Sequence, residues 1–254
     1  MAFSFSEQYV EQYYHHGFTI LPGIVPPALI RDLRNSLSPG RELARELHGP
    51  QVQRLQPLKN HGDKLDLGPC RDFTNLPELV DACKRVLSPG HELTGIDGSM
   101  GVFYEPAEAP WSTHWHRDIT ASSDGVDPDE FARINMDATF FTQVNCALYT
   151  DVSTWYVPAS DGRPNIEGEQ EAAAAMPDTR DMALEEAENA GIEYCRGMPG
   201  SVQLALEPGD FALYRPNGWH IGNYSPNRHR ITLHSSVWKE ETREWYGRWN
   251  PAFL

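Results

Sequence analysis

The sequence predicts a mainly β protein, a two-sheet sandwich or barrel with helices packed around it. From about residue 98, short β-prone runs alternate with clusters of Pro, Gly and Asp, the texture of an all-β core. Before that point the signatures are helical. The chain has 254 residues, 40% of them hydrophobic and 22% charged, which suits one globular domain with a core of its own. Residues 1–254 are therefore expected to form one domain. Residues 1–97 would be its mostly helical part and residues 98–254 its β core, interrupted by an insertion at 160–197.

The first helix is expected from Glu7 to His16, with Ser6 as N-cap, Tyr9, Val10, Tyr13 and Tyr14 at helical spacing, and Gly17 as the stop. Phe18-Thr19-Ile20-Leu21 reads as a short strand. Pro26-Pro27 opens a second helix through about Leu37, with Leu29, Ile30, Leu33 and Leu37 on one face and Ser38-Pro39-Gly40 as its end. Residues 41–70 give no clear signal. A third helix is expected over Pro77–Leu87, closed by Ser88-Pro89-Gly90. The β-prone runs then follow at Met100–Tyr104, Thr113–Asp118, Ala138–Tyr149, Ser201–Leu206, Asp210–Tyr214 and Ile231–Trp238. Within the insertion, Ala172–Ala175 and a helical stretch Thr179–Ala190, closed by Gly191, sit among acidic residues that outnumber Arg163, Arg180 and Arg196. They read as a solvated surface helix with linkers, or else as a mobile lid. No internal repeat is present.

Charge and cysteine usage exclude several classes. The net charge of −15 repels phosphate backbones and anionic bilayers, so neither nucleic acid nor membrane is an expected partner. The four cysteines, Cys70, Cys83, Cys146 and Cys195, lie far apart with no CxxC pair and read as reduced. The first residues lack the basic and apolar regions of a signal peptide, and no apolar run approaches the ~18 residues of a membrane span, so the cytoplasm is the expected compartment.

The most informative stretch is Trp115-His116-Arg117-Asp118, answered about a hundred residues later by Trp219-His220. On a strand, His114, His116 and Asp118 would share one face. Two imidazoles and one carboxylate on one side of an ion form the facial ligand set of a mononuclear non-haem Fe(II) centre. His114 is a rival ligand, since His-x-His is itself a metal-binding spacing. His220 follows a Pro208-Gly209-Asp210 turn, a β run and a Pro/Asn/Gly loop. Ten residues on, Arg230 opens a strand with Thr232 on the same face. A guanidinium is the natural fork for a carboxylate, so Arg230 and Thr232 could clamp the far end of a 2-oxo acid that chelates the iron.

With these residues in hand, the chain resembles the phytanoyl-CoA dioxygenase family of Fe(II)/2-oxoglutarate oxygenases, over nearly its whole length. His16-Gly17-Phe18-Thr19-Ile20-Leu21-Pro22-Gly23 looks like the family's entry segment, and Trp115-His116-Arg117-Asp118 matches its Trp-His-x-Asp. Asn145-Cys146-Ala147-Leu148 and Trp155-Tyr156-Val157-Pro158-Ala159-Ser160 look like its central strands, and Pro208-Gly209-Asp210, His220 and Arg230 follow in order. The resemblance implies a double-stranded β-helix, or jelly roll, with iron on His116, Asp118 and His220. It implies 2-oxoglutarate on Arg230 and a cofactor contact from Asn145. There are departures. Pro158-Ala159-Ser160-Asp161 lacks the usual Gly and His. Gly222 stands where a hydroxyl residue is often found. The Lys often found upstream has no counterpart, and Tyr104 could replace it as a donor or simply be core.

The activity so implied is a dioxygenase that converts 2-oxoglutarate and O₂ to succinate and CO₂ while hydroxylating, or otherwise oxidising, a small organic molecule. Asp118 argues against a halogenase, whose iron gives up the carboxylate for a halide. Trp111, Trp115, Trp155, Trp219 and Tyr104 are expected around a partly apolar pocket. Alternatives are a cupin isomerase or hydrolase using His114, His116 and His220 with zinc or manganese, a catalytically silent ligand-binding member, and an enzyme whose substrate is a polypeptide. The sequence leaves the oligomeric state open.

Overall fold

The β-prone runs pair into two antiparallel sheets whose alternation separates apolar from polar side chains. A computed structural model describes residues 3–51, 54–123 and 125–249. Its N-terminal part holds α1 (Gln8–His16), β1 (Phe18–Leu21), α2 (Pro27–Leu37), α3 (Gly40–His48), β2 (Arg54–Leu55), α4 (Gly68–Thr74), α5 (Pro77–Val86) and β3 (Glu92–Leu93). The unassigned stretch 41–70 thus contains most of α3 and the start of α4. Ser38-Pro39-Gly40 is a corner between two helices rather than a lasting stop. The remainder holds β4 (Gly101–Tyr104), β5 (Trp111–Ser112), α6 (Pro128–Asn135), β6 (Gln143–Ala147), β7 (Asp151–Tyr156), α7 (Glu169–Ala174), α8 (Leu184–Gly197), β8 (Val202–Leu206), β9 (Phe211–Tyr214), β10 (His220–Tyr224), β11 (Ile231–Trp238) and α9 (Glu240–Trp249).

One sheet runs β1-β9-β6-β11-β4-β2, with β3 added beside β11; the other runs β5-β10-β7-β8. Helices cover the outer face of the larger sheet. Val102 and Tyr104 of β4, Val144 and Cys146 of β6, Phe211 and Leu213 of β9, and Ile231, Leu233 and Val237 of β11 all join one core with Tyr13, Leu33, Leu37, Leu43, Phe73 and Leu79 of the helices. Strand alternation then turns the intervening residues toward the smaller sheet. Phe103, Gln143, Asn145, Tyr214, Arg230, His234 and Ser236 line an internal cavity of about 610 Å³ between the sheets.

Two expectations about the chain path change. The run Thr113–Asp118 is not a strand: β5 ends at Ser112, and past it only a single bridge, His116 to His220, continues the pairing. The insertion is the expected surface helix, with most of its acidic residues exposed and its inner face packed, and it does not cover the cavity as a lid would. Tyr194, Cys195 and Met198 at the end of α8 pack with Trp115, Trp155 and Ile221 on the outer face of the smaller sheet. Helix α8 runs through Gly191 instead of stopping there. A methyl at that position would press on the Asn223 amide of β10, so the glycine permits close approach. No residue of 160–197 lines the cavity among the described residues.

Candidate metal centre and cavity

The two histidines meet because their backbones pair. His116 N–H donates to the His220 carbonyl at 3.1 Å, and His220 N–H donates to the His116 carbonyl at 3.0 Å. Asp118 N–H then donates to Pro216 O at 3.0 Å. Arg117, pointing the other way, fastens this segment by donating to Ser160 O and to Asn217 O, the latter at 2.8 Å. Ser160 Oγ accepts from Trp219 N–H at 2.8 Å. Residues 158–161 therefore tie both ligand-bearing loops together. Ala159 adopts φ 55°, a left-handed conformation, where the resemblance expects glycine.

Ligand-capable atoms of His116, Asp118 and His220 lie within 4.8 Å of one another. His116 Nε2 is 3.2 Å and His220 Nε2 3.6 Å from Asp118 Oδ1. Their other ring nitrogens are fixed. His116 Nδ1 sits 2.6 Å from the His114 carbonyl and His220 Nδ1 2.9 Å from the Gly218 carbonyl. A carbonyl only accepts, so each Nδ1 carries a hydrogen, and each Nε2 is the ring nitrogen turned toward Asp118. Gln143 donates its amide N–H to Asp118 Oδ2, leaving Oδ1 to face the imidazoles. All three side chains thus have an outer partner that orients them, the arrangement metal ligands require.

Electrostatics agree. Burial opposes charge on Asp118, but the His220 imidazole and hydrogen bonds from His116 and Gln143 outweigh it and hold the carboxyl far below its ordinary range. Burial, aided by nearby His116, pushes His220 down to about 4, so it stays neutral. Burial also works against charge on His116, yet Asp118 prevails and raises it. Two imidazole Nε2 atoms and one carboxylate oxygen converging on a common point suit a divalent transition ion. His114 is exposed and does not join this group.

At the other end of the cavity, Arg230 is buried and its Nε donates to Asp151 Oδ2 at 2.8 Å. Its backbone N–H donates to Glu105 at 2.7 Å. Arg230 Nη1 is buried without a hydrogen-bond partner. A partnerless guanidinium N–H on a cavity wall is the observation that fits an anionic ligand, because leaving it unpaired is costly. Thr232, expected to share in the clamp, donates instead to Asp151 Oδ2 at 2.5 Å and positions the arginine's counter-ion. Between the two ends, Asn145 donates to Thr154 Oγ1 at 3.2 Å, and its Oδ1 accepts from His234 Nδ1 at 2.9 Å.

Tyr104 is a correction. It shares the parity of Val102 and faces the helices, where its hydroxyl donates to Leu37 O at 2.8 Å over Gly40. Phe103 takes the cavity side and stacks on His234 at 4.8 Å. The expected tryptophan ring is corrected too. Trp111 lines the cavity, but Trp115 and Trp155 are buried beneath α8, and Trp219 donates to Asn165 and Glu169. Ile119, Phe141, Trp238 and Tyr246 add apolar and aromatic lining, and Arg54 and Gln56 add polar lining. Sequence reasoning missed Gln143, Asp151, Tyr214, Tyr224 and His234. Gln143, Tyr214 and His234 share a face with Asn145, Ala212 and Arg230 respectively, so period-2 alternation carried that signal.

No protein-family model matches the chain, and no curated protein matches it. Solved structures do. AviO1 from Streptomyces viridochromogenes Tue57 is 15% identical, with 94% of this chain and 97% of that chain covered at a TM-score of 0.60. HygX from Streptomyces hygroscopicus, solved with nickel and 2-oxoglutarate bound, is 12% identical over 93% of this chain and 88% of that one, at 0.62. The epimerase SnoN, in complex with Fe3+, alpha ketoglutarate and nogalamycin RO, is 14% identical over 92% and 83%, at 0.54. At these identities the likeness establishes the fold, a jelly roll flanked by helices. No described helix is long and apolar enough to cross a membrane.

Proposed function

We propose that this chain is an Fe(II)/2-oxoglutarate-dependent dioxygenase acting on a small organic molecule. The observation that carries the reading is the convergence of His116, Asp118 and His220, each braced by an outer partner, in one cavity with the buried, partnerless Nη1 of Arg230. The neighbours HygX and SnoN hold a metal with 2-oxoglutarate in the same fold, which supports the same cosubstrate here. The phytanoyl-CoA dioxygenase group remains the proposed family.

In this reading His116, Asp118 and His220 bind iron on one face, and Arg230, held by Asp151, binds the distal carboxylate of 2-oxoglutarate. Iron and cosubstrate together supply the O₂-dependent oxidation. The protein's part is to keep the His220 imidazole neutral, to orient both imidazoles through backbone carbonyls, and to seat the substrate. A cavity of about 610 Å³ with Ile119, Phe141, Trp238 and Tyr246 in its lining suits a partly apolar small molecule rather than a polypeptide. Hydroxylation is the proposed outcome; SnoN, an epimerase, marks another that the same fold hosts. The exposed side chain of His114 gives no support to a three-histidine isomerase or hydrolase.

The test is an anaerobic titration of the protein with Fe(II) and 2-oxoglutarate, following the weak visible charge-transfer band of the chelate. The wild type develops the band, and Asp118→Ala loses it together with tight Fe(II) binding while keeping the fold. Absence of the band in the wild type, or Fe(II) binding that survives in Asp118→Ala, overturns the reading. With O₂ admitted, succinate formation separates a turning-over enzyme from a silent ligand-binding protein.

A further inference from the structure

Position 222 lies two residues past His220 on the same face of β10 and lines the cavity, yet it is a glycine with no group to offer. The space its side chain would fill is taken. A methyl built on Gly222 overlaps the Tyr224 hydroxyl and the ring carbons next to it. Tyr224 is buried, stacks on Trp111 at 5.5 Å, and lies beneath the Arg230 guanidinium, 4.6 Å from its ring centroid. Its ring carries the hydroxyl into the space over Gly222, on the cavity wall. A phenol can donate as well as accept, so its O–H is available to an anion held beside the guanidinium. Burial raises its pKa, so the proton stays in place.

We propose that Tyr224 supplies the hydroxyl that hydrogen-bonds the distal carboxylate beside Arg230, and that residue 222 is glycine because the phenol occupies its side-chain space. This rests on the proposed binding of 2-oxoglutarate. The donor reaches the site from two residues further along the strand, folded back over the gap. Arg230 and Tyr224 then form one composite anion site: Arg230 brings Nη1, and Tyr224 brings a neutral O–H from the ring beneath the same guanidinium.

The experiment compares two probes on the Fe(II)-loaded protein under anaerobic conditions. One is 2-oxoglutarate, and the other is 2-oxopentanoate, which has the same chain length without the distal carboxylate. Tyr224→Phe keeps the ring and its stacking on Trp111. It is expected to weaken 2-oxoglutarate binding by about ten- to a hundredfold, the range of a hydrogen bond to a charged group, and to leave both 2-oxopentanoate and Fe(II) binding unchanged. A second variant, Gly222→Ser combined with Tyr224→Leu, clears the phenol and puts a hydroxyl at position 222. It is expected to recover part of the loss relative to Tyr224→Leu alone. Equal 2-oxoglutarate affinity in wild type and Tyr224→Phe overturns the inference and leaves the functional reading standing. Equal losses for the two probes overturn it as well, since the ring would then serve only packing. A wild type that binds Fe(II) but neither probe removes the functional reading itself.

Discussion

The two faces of the larger sheet come from the same strands and do opposite work. On the outer face, Val102, Val144, Cys146, Phe211, Leu213, Ile231 and Leu233 are buried against helices and make no chemistry. On the inner face, Gln143, Asn145, Thr232 and His234 are polar and each is hydrogen-bonded, Gln143 to Asp118, Asn145 to Thr154 and His234, and Thr232 to Asp151. Residue 233 holds the fold while 234 lines the cavity and 232 anchors Asp151. The difference teaches that alternation lets one strand carry stability and function with little trade between them, since the polar face is satisfied internally and not by the core.

The sharpest way to break that division is Leu233→Ala. It empties a fully buried site on the outer face and is expected to lower stability by about 2–5 kcal/mol. The 2-oxoglutarate affinity of the folded fraction should stay at the wild-type value. Chemical denaturation together with the chelate titration checks both. A tenfold loss of affinity would show that the two faces are mechanically coupled.

A smaller effect comes from the inner face through pH. Burial pushes the His234 imidazole down to about 4, against an ordinary value of 6.5. The folded protein therefore holds it neutral where the unfolded chain takes up a proton. Its contribution to stability is complete above pH 6.5 and is lost as pH falls from 6.5 towards 4. Melting temperature followed over that window should fall less steeply in His234→Gln than in wild type. Identical slopes would mean that His234 titrates normally in the folded state.

The smallest effect is expected from Tyr104→Phe, which removes the hydroxyl bonded to Leu37 O. Loss of one buried hydrogen bond costs about 0.5–1.5 kcal/mol. Because Tyr104 belongs to the outer face, 2-oxoglutarate binding should not change. A weakened chelate in this variant would restore it as a cavity residue.

Much of this was written in the chain. Ile231–Trp238 was legible to its ends because Ile, Leu and Val alternate with Thr, His and Ser, and periodicity is local. The first two helices were legible from Gly17 and Pro27, which act on their own backbone. The His-x-Asp and the distant His were legible because the residue types themselves carry the chemistry. Other features were not. Whether Tyr104 faces inward depends on the pairing of Ile231 with Tyr104, a register between segments over a hundred residues apart. The segment Thr113–Asp118 has strand composition, but a partner for its middle is lacking once β10 begins at His220 and bridges only residue 116.

The sequence alone thus determined the class of fold, the polarity of each strand face and the identity of three candidate ligands. These depend on side-chain chemistry and on spacings of two or four residues. Only the tertiary structure decided that Asp151 would hold Arg230, that Tyr224 would fill the gap at Gly222, and that the acidic insertion would brace the outer wall instead of covering the cavity. Each of those outcomes is a contact between segments brought together by sheet closure, and nothing in the local sequence encodes which distant side chain will arrive.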